Sequence, residues 1–248
     1  MKHNRYAHRG LHDRNAGIPE NSLAAFRRAI AHGFGSELDV HLLKGGTLAV
    51  FHDSNLRRMT GTDGIIEHLD AAALDTLTLD GTREYIPQLC EVLALYEGTG
   101  LPLLVELKSS RGNSAALAAR AVAALDRYHV PYLIESFDPR CLMWLRRCRP
   151  EIARGQLAMD FTRGLEASSG YGYMADRMLT RMAFNGKTRP AFVSYRFEDR
   201  GVPALRRVLR RGSPEVFYWT IRSREDMEEA EREGARVIFE GFVPASGG

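Results

Sequence analysis

Residues 5–53 read RYAHRGLHDRNAGIPENSLAAFRRAIAHGFGSELDVHLLKGGTLAVFHD, and this stretch decides the fold. Arg5–His8 is a short β-like run. Ser22–His32 places Leu23, Phe26 and Ile30 on one helical face, with Asn21 as its expected N-cap and Gly33 as the residue that ends it. Ser36–Val40 and Thr47–Phe51 return to the β pattern. Four polar signatures sit at or near the ends of these elements: His8-Arg9-Gly10, Pro19-Glu20-Asn21, Glu37-Leu38-Asp39 and His52-Asp53.

The alternation continues along the chain. Further strands are expected at Pro102–Leu107, Tyr132–Glu135, Arg154–Ala158, Ala191–Tyr195, Val216–Thr220 and Arg236–Phe239. Helices are expected at Gln88–Glu97, Ser114–Arg127, Arg140–Arg147, Gly172–Phe184, Val202–Arg210 and Ser223–Glu233. Alternating elements imply a parallel sheet, and roughly eight βα units in about 250 residues favour an α/β chain closed as a (β/α)8 TIM barrel. No Gly-x-Gly-x-x-Gly or Walker loop follows the first strand, which disfavours nucleotide binding. The barrel is irregular between strands 2 and 3. The join His41–Gly46 is too short for a helical crossover and is either a hairpin at Gly45-Gly46 or a bare extended return. A small excursion, Ser54–Ile86, is expected over one end of the barrel after strand 3. No linker divides the chain, so residues 1–248 are expected to form a single domain.

Composition narrows the partners. Hydrophobic residues make up 44% of 248, enough for a large core, and the net charge is only +3 with no basic block. Nucleic acid is therefore not expected. The N-terminus lacks a signal-peptide apolar core, and no stretch approaches the roughly 18 apolar residues of a membrane span. A cytoplasmic protein without an integral membrane segment is expected, with Cys90, Cys141 and Cys148 reduced. Oligomeric state is not legible.

Glu37 and Asp39 are two apart on a strand and share one face. Two such carboxylates repel unless a cation lies between them, and hard oxygen ligands suit Mg²⁺ or Ca²⁺. Solvated charges on an edge strand are the plain alternative. Glu106 and Lys108 end the apolar run Leu103-Leu104-Val105, where a charge needs a partner or a metal. Glu106 would supply a third acid and Lys108 a point charge for a substrate oxygen, or the two form a structural ion pair. His8 and His52 end strands and suit acid–base work near neutral pH. Arg9 offers a planar fork for phosphate, and Gly10 lets the backbone approach. Glu20-Asn21 reads first as a helix start. Ser136-Phe137 and Trp219-Thr220 either line a pocket or pack. His3, His12, His32, His41, His68 and His129 read as surface or structural.

Taken in order, His8-Arg9-Gly10, Pro19-Glu20-Asn21-Ser22, Glu37-Leu38-Asp39-Val40, Val50-Phe51-His52-Asp53, Ile86-Pro87-Gln88-Leu89, Glu106-Leu107-Lys108, Ser136-Phe137 and Trp219-Thr220 resemble the glycerophosphodiester phosphodiesterases. The resemblance runs from about Ala7 to Pro244 and implies a barrel related to phosphatidylinositol-specific phospholipases C. It implies a divalent metal on Glu37, Asp39 and Glu106, with Glu20 touching the metal or its waters. It also implies His8 and His52 as the catalytic pair, Arg9 and Lys108 on phosphate, and Trp219 in the pocket. Three places depart from the family pattern: Lys44-Gly45-Gly46 for Lys-Asp-Gly, Trp219-Thr220-Ile221-Arg222 for Trp-Thr-Val-Asn, and Ile238-Phe239-Glu240 for Ile-Thr-Asp.

The expected activity is metal-dependent hydrolysis of a small glycerophosphodiester to glycerol 3-phosphate and an alcohol, by water or through a cyclic phosphate. A related phosphodiesterase acting on lysophospholipids or sugar phosphodiesters is the first alternative, and apolar residues within Met159–Pro190 would favour lipid. A catalytically silent phosphate- or metal-binding barrel is the second.

Overall fold

The structure, a computed structural model, describes residues 4–110, 112–163, 172–212 and 214–245. Its strands are β1 (Arg5–Ala7), β2 (Gly35–Leu42), β3 (Leu48–Val50), β4 (Leu103–Leu107), β5 (Tyr132–Ser136), β6 (Arg154–Ala158), β7 (Phe192–Arg196), β8 (Glu215–Ile221) and β9 (Arg236–Phe239). They pair in the order β1-β9-β8-β7-β6-β5-β4-β2-β3, and a β1–β2 pairing closes the ring. Every pairing is parallel except β2–β3. The parallel strands form the (β/α)8 barrel. β3 is the returning arm of a hairpin paired with Val40, His41 and Leu42. Gly45 and Gly46 both hold φ near +91° in its turn, a conformation that costs a side chain energy.

Helices α1 (Leu23–Ala31), α2 (Leu89–Tyr96), α3 (Ser114–Leu125), α4 (Pro139–Cys148), α5 (Tyr173–Thr180), α6 (Pro203–Gly212) and α7 (Arg224–Arg232) alternate with the strands. Shorter helical turns occur at Arg57–Thr60, Ala71–Leu74 and Asn185–Thr188. The expected helix 172–184 is broken: α5 stops at Thr180, and Met182 takes a left-handed φ of +50°. The Gly170 and Tyr171 of that expected wall, like His3, lie outside the described residues. One helix start also differs from expectation. Ser22, not Asn21, caps α1, its Oγ accepting from the Ala25 N–H at 3.1 Å. Asn21 is turned to a left-handed φ of +55° and its side chain is used elsewhere.

Strand alternation sorts the barrel's two faces. Leu103, Val105 and Leu107 join the apolar layer of α2, α3 and α4. Leu104 joins Tyr6, Leu133, Phe192, Phe217 and Ile238 in a separate cluster that plugs the barrel interior. The Phe192 ring lies so close to β6 that a Cβ on Gly155 would fall 2.0 Å from it, so glycine is required there. Two residues further along, the inward positions become Glu106 on β4 and Glu135 on β5. The apolar plug thus seals the floor beneath a layer of acids. The excursion 54–86 has its own apolar cluster, including Leu56, Met59, Ile66 and Leu74, joined to Leu43 and Phe51 of the hairpin.

Asp199, after β7, is buried and ties that strand end to β6. It accepts from the Asp160 N–H at 2.9 Å and pairs with Arg196 at 2.6 Å and Arg163 at 2.8 Å. Burial opposes its charge, but these donors hold its carboxyl below the ordinary range. Its stabilisation is therefore full above the unfolded pKa near 4 and is lost as pH falls through the lower folded value. Asp199→Asn is expected to cost about 2 kcal/mol at pH 7 in urea unfolding, and the gap from the parent should narrow as pH drops below about 4.

Candidate active site

The C-terminal ends of the barrel strands gather the polar signatures. Glu37 and Asp39 face inward from β2, and strand register sets Asp39 level with Glu106. One carboxylate oxygen from each of these three buried acids lies within 4.8 Å of the others. Burial pushes the Glu37 carboxyl well up, and Asp39 and Glu106 push it further. Glu106 is raised by burial and by Asp39, against the pull of Lys108. Burial also disfavours the Asp39 carboxylate, but Lys108, His52, Arg9 and the Asn21 amide outweigh it and hold Asp39 well below its usual range.

Two cations enter this layer. Lys108 Nζ lies 3.0 Å from Glu106 Oε1 and 3.1 Å from Asp39 Oδ1. The second contact is an ion pair without hydrogen-bond alignment, which leaves Asp39 Oδ1 buried without a hydrogen-bond partner. Burial lowers Lys108, yet Asp39 and Glu106 dominate and keep it charged. Arg9 donates its backbone N–H to Glu37 Oε2 at 3.0 Å and its guanidinium to Glu20 Oε1 at 2.8 Å, with Nε 3.5 Å from Asp39 Oδ2. It can do both because its backbone is left-handed, φ +52°. Gly10 follows at φ +76°, where a Cβ would sit 2.8 Å from Ala25 Cβ. An all-oxygen donor set of three acids, one oxygen buried without a hydrogen bond, fits a hard divalent cation.

Glu20 is not part of that trio. Its carboxylate is clamped between Arg9 and Arg58, with Arg58 at 2.6 Å and 3.0 Å, and against burial these cations bring it down to about 2. Arg58 comes from the excursion and also binds Asp53 Oδ2 at 2.5 Å.

Both candidate histidines are backed by a carboxylate on Nδ1. Asp53 Oδ1 is 2.6 Å from His52 Nδ1, and Glu240 Oε2 is 2.5 Å from His8 Nδ1. Such backing fixes the ring and leaves Nε2 for other work. His8 Nε2 lies 3.9 Å from Glu37 Oε2. Burial and the Arg9 cation lower His8 to about 4 despite Glu240, so its ring is neutral at pH 7. His41 is structural as expected, but its place matters: it is buried, with Nδ1 on Glu67 at 2.9 Å and Nε2 on the His52 carbonyl at 3.2 Å.

Beside the acids opens a cavity of about 590 Å³ that touches His52, Glu106, Lys108 and Phe137. Trp219 is one ring removed, edge-to-face with Phe137 at 5.8 Å between centroids. Ser136 also lines the cavity, with its Oγ donating to the Leu107 carbonyl at 2.7 Å.

Several site residues escaped the sequence reading. Glu135 is a fourth buried acid, pushed well up by burial and by Glu106. Its signal was available, since Tyr132-Leu133-Ile134-Glu135 repeats the logic applied to Glu106. Glu240, Arg58 and Glu67 carry no local signal; each meets its partner only through the fold. Asn21 was assigned to the helix cap, yet its Nδ2 donates to Asp39 Oδ2 at 2.8 Å.

The profile of the glycerophosphoryl diester phosphodiesterase family matches residues 8–243. A glycerophosphodiester phosphodiesterase of Caldanaerobacter subterraneus subsp. tengcongensis is 29% identical over 242 residues, covering 94% of this chain and 91% of that protein. Among solved structures, a phosphodiesterase of Oleispira antarctica in complex with the product sn-glycerol-3-phosphate superposes with a TM-score of 0.78 at 24% identity, over 96% of this chain and 92% of that one. A protein of Silicibacter pomeroyi described as a glycerophosphoryl diester phosphodiesterase gives 0.75 at 22% identity, over 96% and 89%. Likeness at that identity establishes the fold.

Asn21 combines a left-handed backbone with a buried bond to a charged acceptor, and two substitutions separate these. Asn21→Ala should lose about 3 kcal/mol in urea unfolding, from the hydrogen bond and from a Cβ without Asn's local tolerance of that backbone. Asn21→Gly should recover roughly 1 kcal/mol of this, since only the backbone cost is relieved.

Proposed function

The chain belongs to the glycerophosphoryl diester phosphodiesterase family, and we propose that it hydrolyses glycerophosphodiesters to glycerol 3-phosphate and an alcohol. In this proposal Glu37, Asp39 and Glu106 hold a divalent metal, Mg²⁺ or Ca²⁺, and His8 and His52 move the protons. One observation supports it above others: three buried acids share the mouth of a parallel barrel with two carboxylate-backed histidines. The strands' C-terminal ends are where this fold places chemistry. The family match spans residues 8–243, which supports one catalytic domain.

A metal on those acids would supply positive charge to the phosphoryl oxygens. The remaining work falls to side chains. Lys108, in the cavity beside Glu106, adds a fixed cation where negative charge grows, and Arg9 stands behind it as a second, held by Glu20 and Asp39. Neutral His8 accepts a proton at Nε2 while Glu240 stabilises the cation formed. His52, steadied by Asp53 at Nδ1 and by His41 at its carbonyl, presents Nε2 to the other side of the reaction. One ring takes the proton of the attacking hydroxyl, and the other gives one to the departing alcoholate. Glu20 serves by fixing Arg9 and Arg58. Phe137, with Trp219 behind it, forms the aromatic wall.

Release of glycerol 3-phosphate from glycerophosphocholine, with Mg²⁺ or Ca²⁺ and then with EDTA, tests the reading. EDTA should abolish activity. His8→Ala and His52→Ala should each cost on the order of 10²–10⁴-fold in kcat. Glu106→Gln should weaken metal binding measured by calorimetry. Activity that survives both chelation and His52→Ala would overturn the mechanism, and tight binding without turnover would favour a silent barrel.

A further inference from the structure

The His8 ring has two working sides. Its Nε2 lies 3.9 Å from Glu37 Oε2, toward the three acids. Its Nδ1 turns the other way, to Glu240 Oε2 at 2.5 Å. A second histidine approaches the same oxygen. His12 Nε2 lies 3.6 Å from it, too far for a hydrogen bond. One ligand atom from each of His8, His12 and Glu240 lies within 4.8 Å of the others, as in the trio Glu37, Asp39 and Glu106. His12 takes no part in the proposed hydrolysis.

The cluster has the marks of a built site. His12 Nε2 is buried without a hydrogen-bond partner among the described residues, a costly state for a ring nitrogen. The backbone is pinned on both sides of His12. The Leu11 N–H donates to the Ala25 carbonyl at 3.0 Å, and the Asp13 N–H to the Ile18 carbonyl at 2.9 Å. Glu240 Oε1 accepts from Arg222 Nε at 2.8 Å, which leaves Oε2 to the two rings. An outer hydrogen bond of this kind is the usual support of a ligating carboxylate. The side chains of His8, His12 and Glu240 are 13%, 22% and 19% exposed, so an ion has access from solvent.

Two imidazole nitrogens and one carboxylate oxygen are a donor set for Zn²⁺, whereas the three acids suit Mg²⁺ or Ca²⁺. Tetrahedral bonds of about 2.0–2.1 Å set ligand atoms about 3.3 Å apart. The His12–Glu240 spacing of 3.6 Å is close to that. The His8–Glu240 contact, 2.5 Å across a proton, would open by about 0.8 Å when a metal takes the proton's place.

We propose that His8, His12 and Glu240 form a second metal site that prefers Zn²⁺ to Mg²⁺ or Ca²⁺, and that its occupation inhibits the hydrolysis. The site stands on its own geometry, while the inhibition rests on the function proposed above. Facing Glu240, neutral His8 keeps its one proton on Nδ1 and offers the Nε2 lone pair to an incoming proton. Zn²⁺ takes the Nδ1 lone pair, and the displaced proton moves to Nε2. The ring carries the same number of protons as before, but Nε2 now donates and no longer accepts.

Zn²⁺ is titrated by calorimetry into the intact protein with Mg²⁺ in excess to occupy the acid trio. One Zn²⁺ should bind per chain. His12→Ala, and His12→Gln of similar size and polarity, should each weaken it about a hundredfold or more, since even an outer partner of a ligand is worth roughly 10–100-fold in affinity. Without Zn²⁺, both variants should release glycerol 3-phosphate from glycerophosphocholine at the parent's kcat. With Zn²⁺, the parent should lose most of its kcat and the variants should keep theirs. Zn²⁺ binding unchanged in both variants would overturn the site, as would no binding to the parent. Binding that is lost in the variants but leaves the parent's kcat untouched would overturn the inhibition. If no protein releases glycerol 3-phosphate, the reaction class fails instead, and the titration still decides the site.

Discussion

The structure turns on the mutual repulsion of carboxylates confined at a barrel mouth whose floor is sealed. Glu37, Asp39, Glu106 and Glu135 are all buried above the apolar plug of Tyr6, Leu104, Leu133, Phe192, Phe217 and Ile238. Like charges in so poorly solvated a place cannot all ionise without help. The protein answers in several ways. Burial and Glu106 push the Glu135 carboxyl well up, towards its neutral form. Asp39 stays ionised because Lys108, Arg9 and Asn21 converge on it. Glu37 and Glu106 are left raised, by burial and by the neighbouring carboxylates. Parallel register on the adjacent strands β2, β4 and β5 places Asp39, Glu106 and Glu135 at one level.

The corner between β1 and α1 does the finest positioning. Arg9, Gly10 and Asn21 all adopt left-handed backbone, and the Asn21 N–H donates to the Arg9 carbonyl at 2.8 Å. That geometry lets one residue, Arg9, serve Glu37 through its backbone and Glu20 through its side chain. The excursion then braces the same corner from above through Arg58, which joins Glu20 to Asp53 and so to His52. What looks in sequence like an insertion is tied by Arg58 to Glu20 and Asp53 of the candidate site.

The architecture was legible because apolar runs and helical faces alternate cleanly, and every expected strand forms. The short β2–β3 join was not, because Gly45-Gly46 suits a hairpin turn and a loose return equally well. Asn21 misled because Asn and Ser are both good caps; the choice of Ser22 is made by the pull of Asp39, a tertiary effect. The trio Glu37, Asp39 and Glu106 was legible from two-residue spacing and an apolar run ending in charge. Glu135 obeyed the same rule and was missed only because no cation follows it as Lys108 follows Glu106. Glu240 and Arg58 were illegible on principle: they lie 232 and 38 residues from His8 and Glu20, and only closure of the barrel brings them together.

The two departures on the far rim now explain each other. Where the family pattern has asparagine after Trp-Thr, this chain has Arg222; where it has aspartate on the last strand, it has Glu240. Arg222 Nε meets Glu240 Oε1 at 2.8 Å, and the other oxygen of Glu240 faces His8. The longer acid reaches His8 Nδ1 and still has an oxygen to offer outward. An arginine on that oxygen fixes the carboxylate with a charge-assisted bond; burial opposes the charge of Glu240, but the His12 and His8 rings, with Arg222 after them, hold its carboxyl well below the usual range. An unsupported glutamate has one more rotatable bond than aspartate and would hold the ring less firmly. The pair of residues therefore sets a braced carboxylate behind His8.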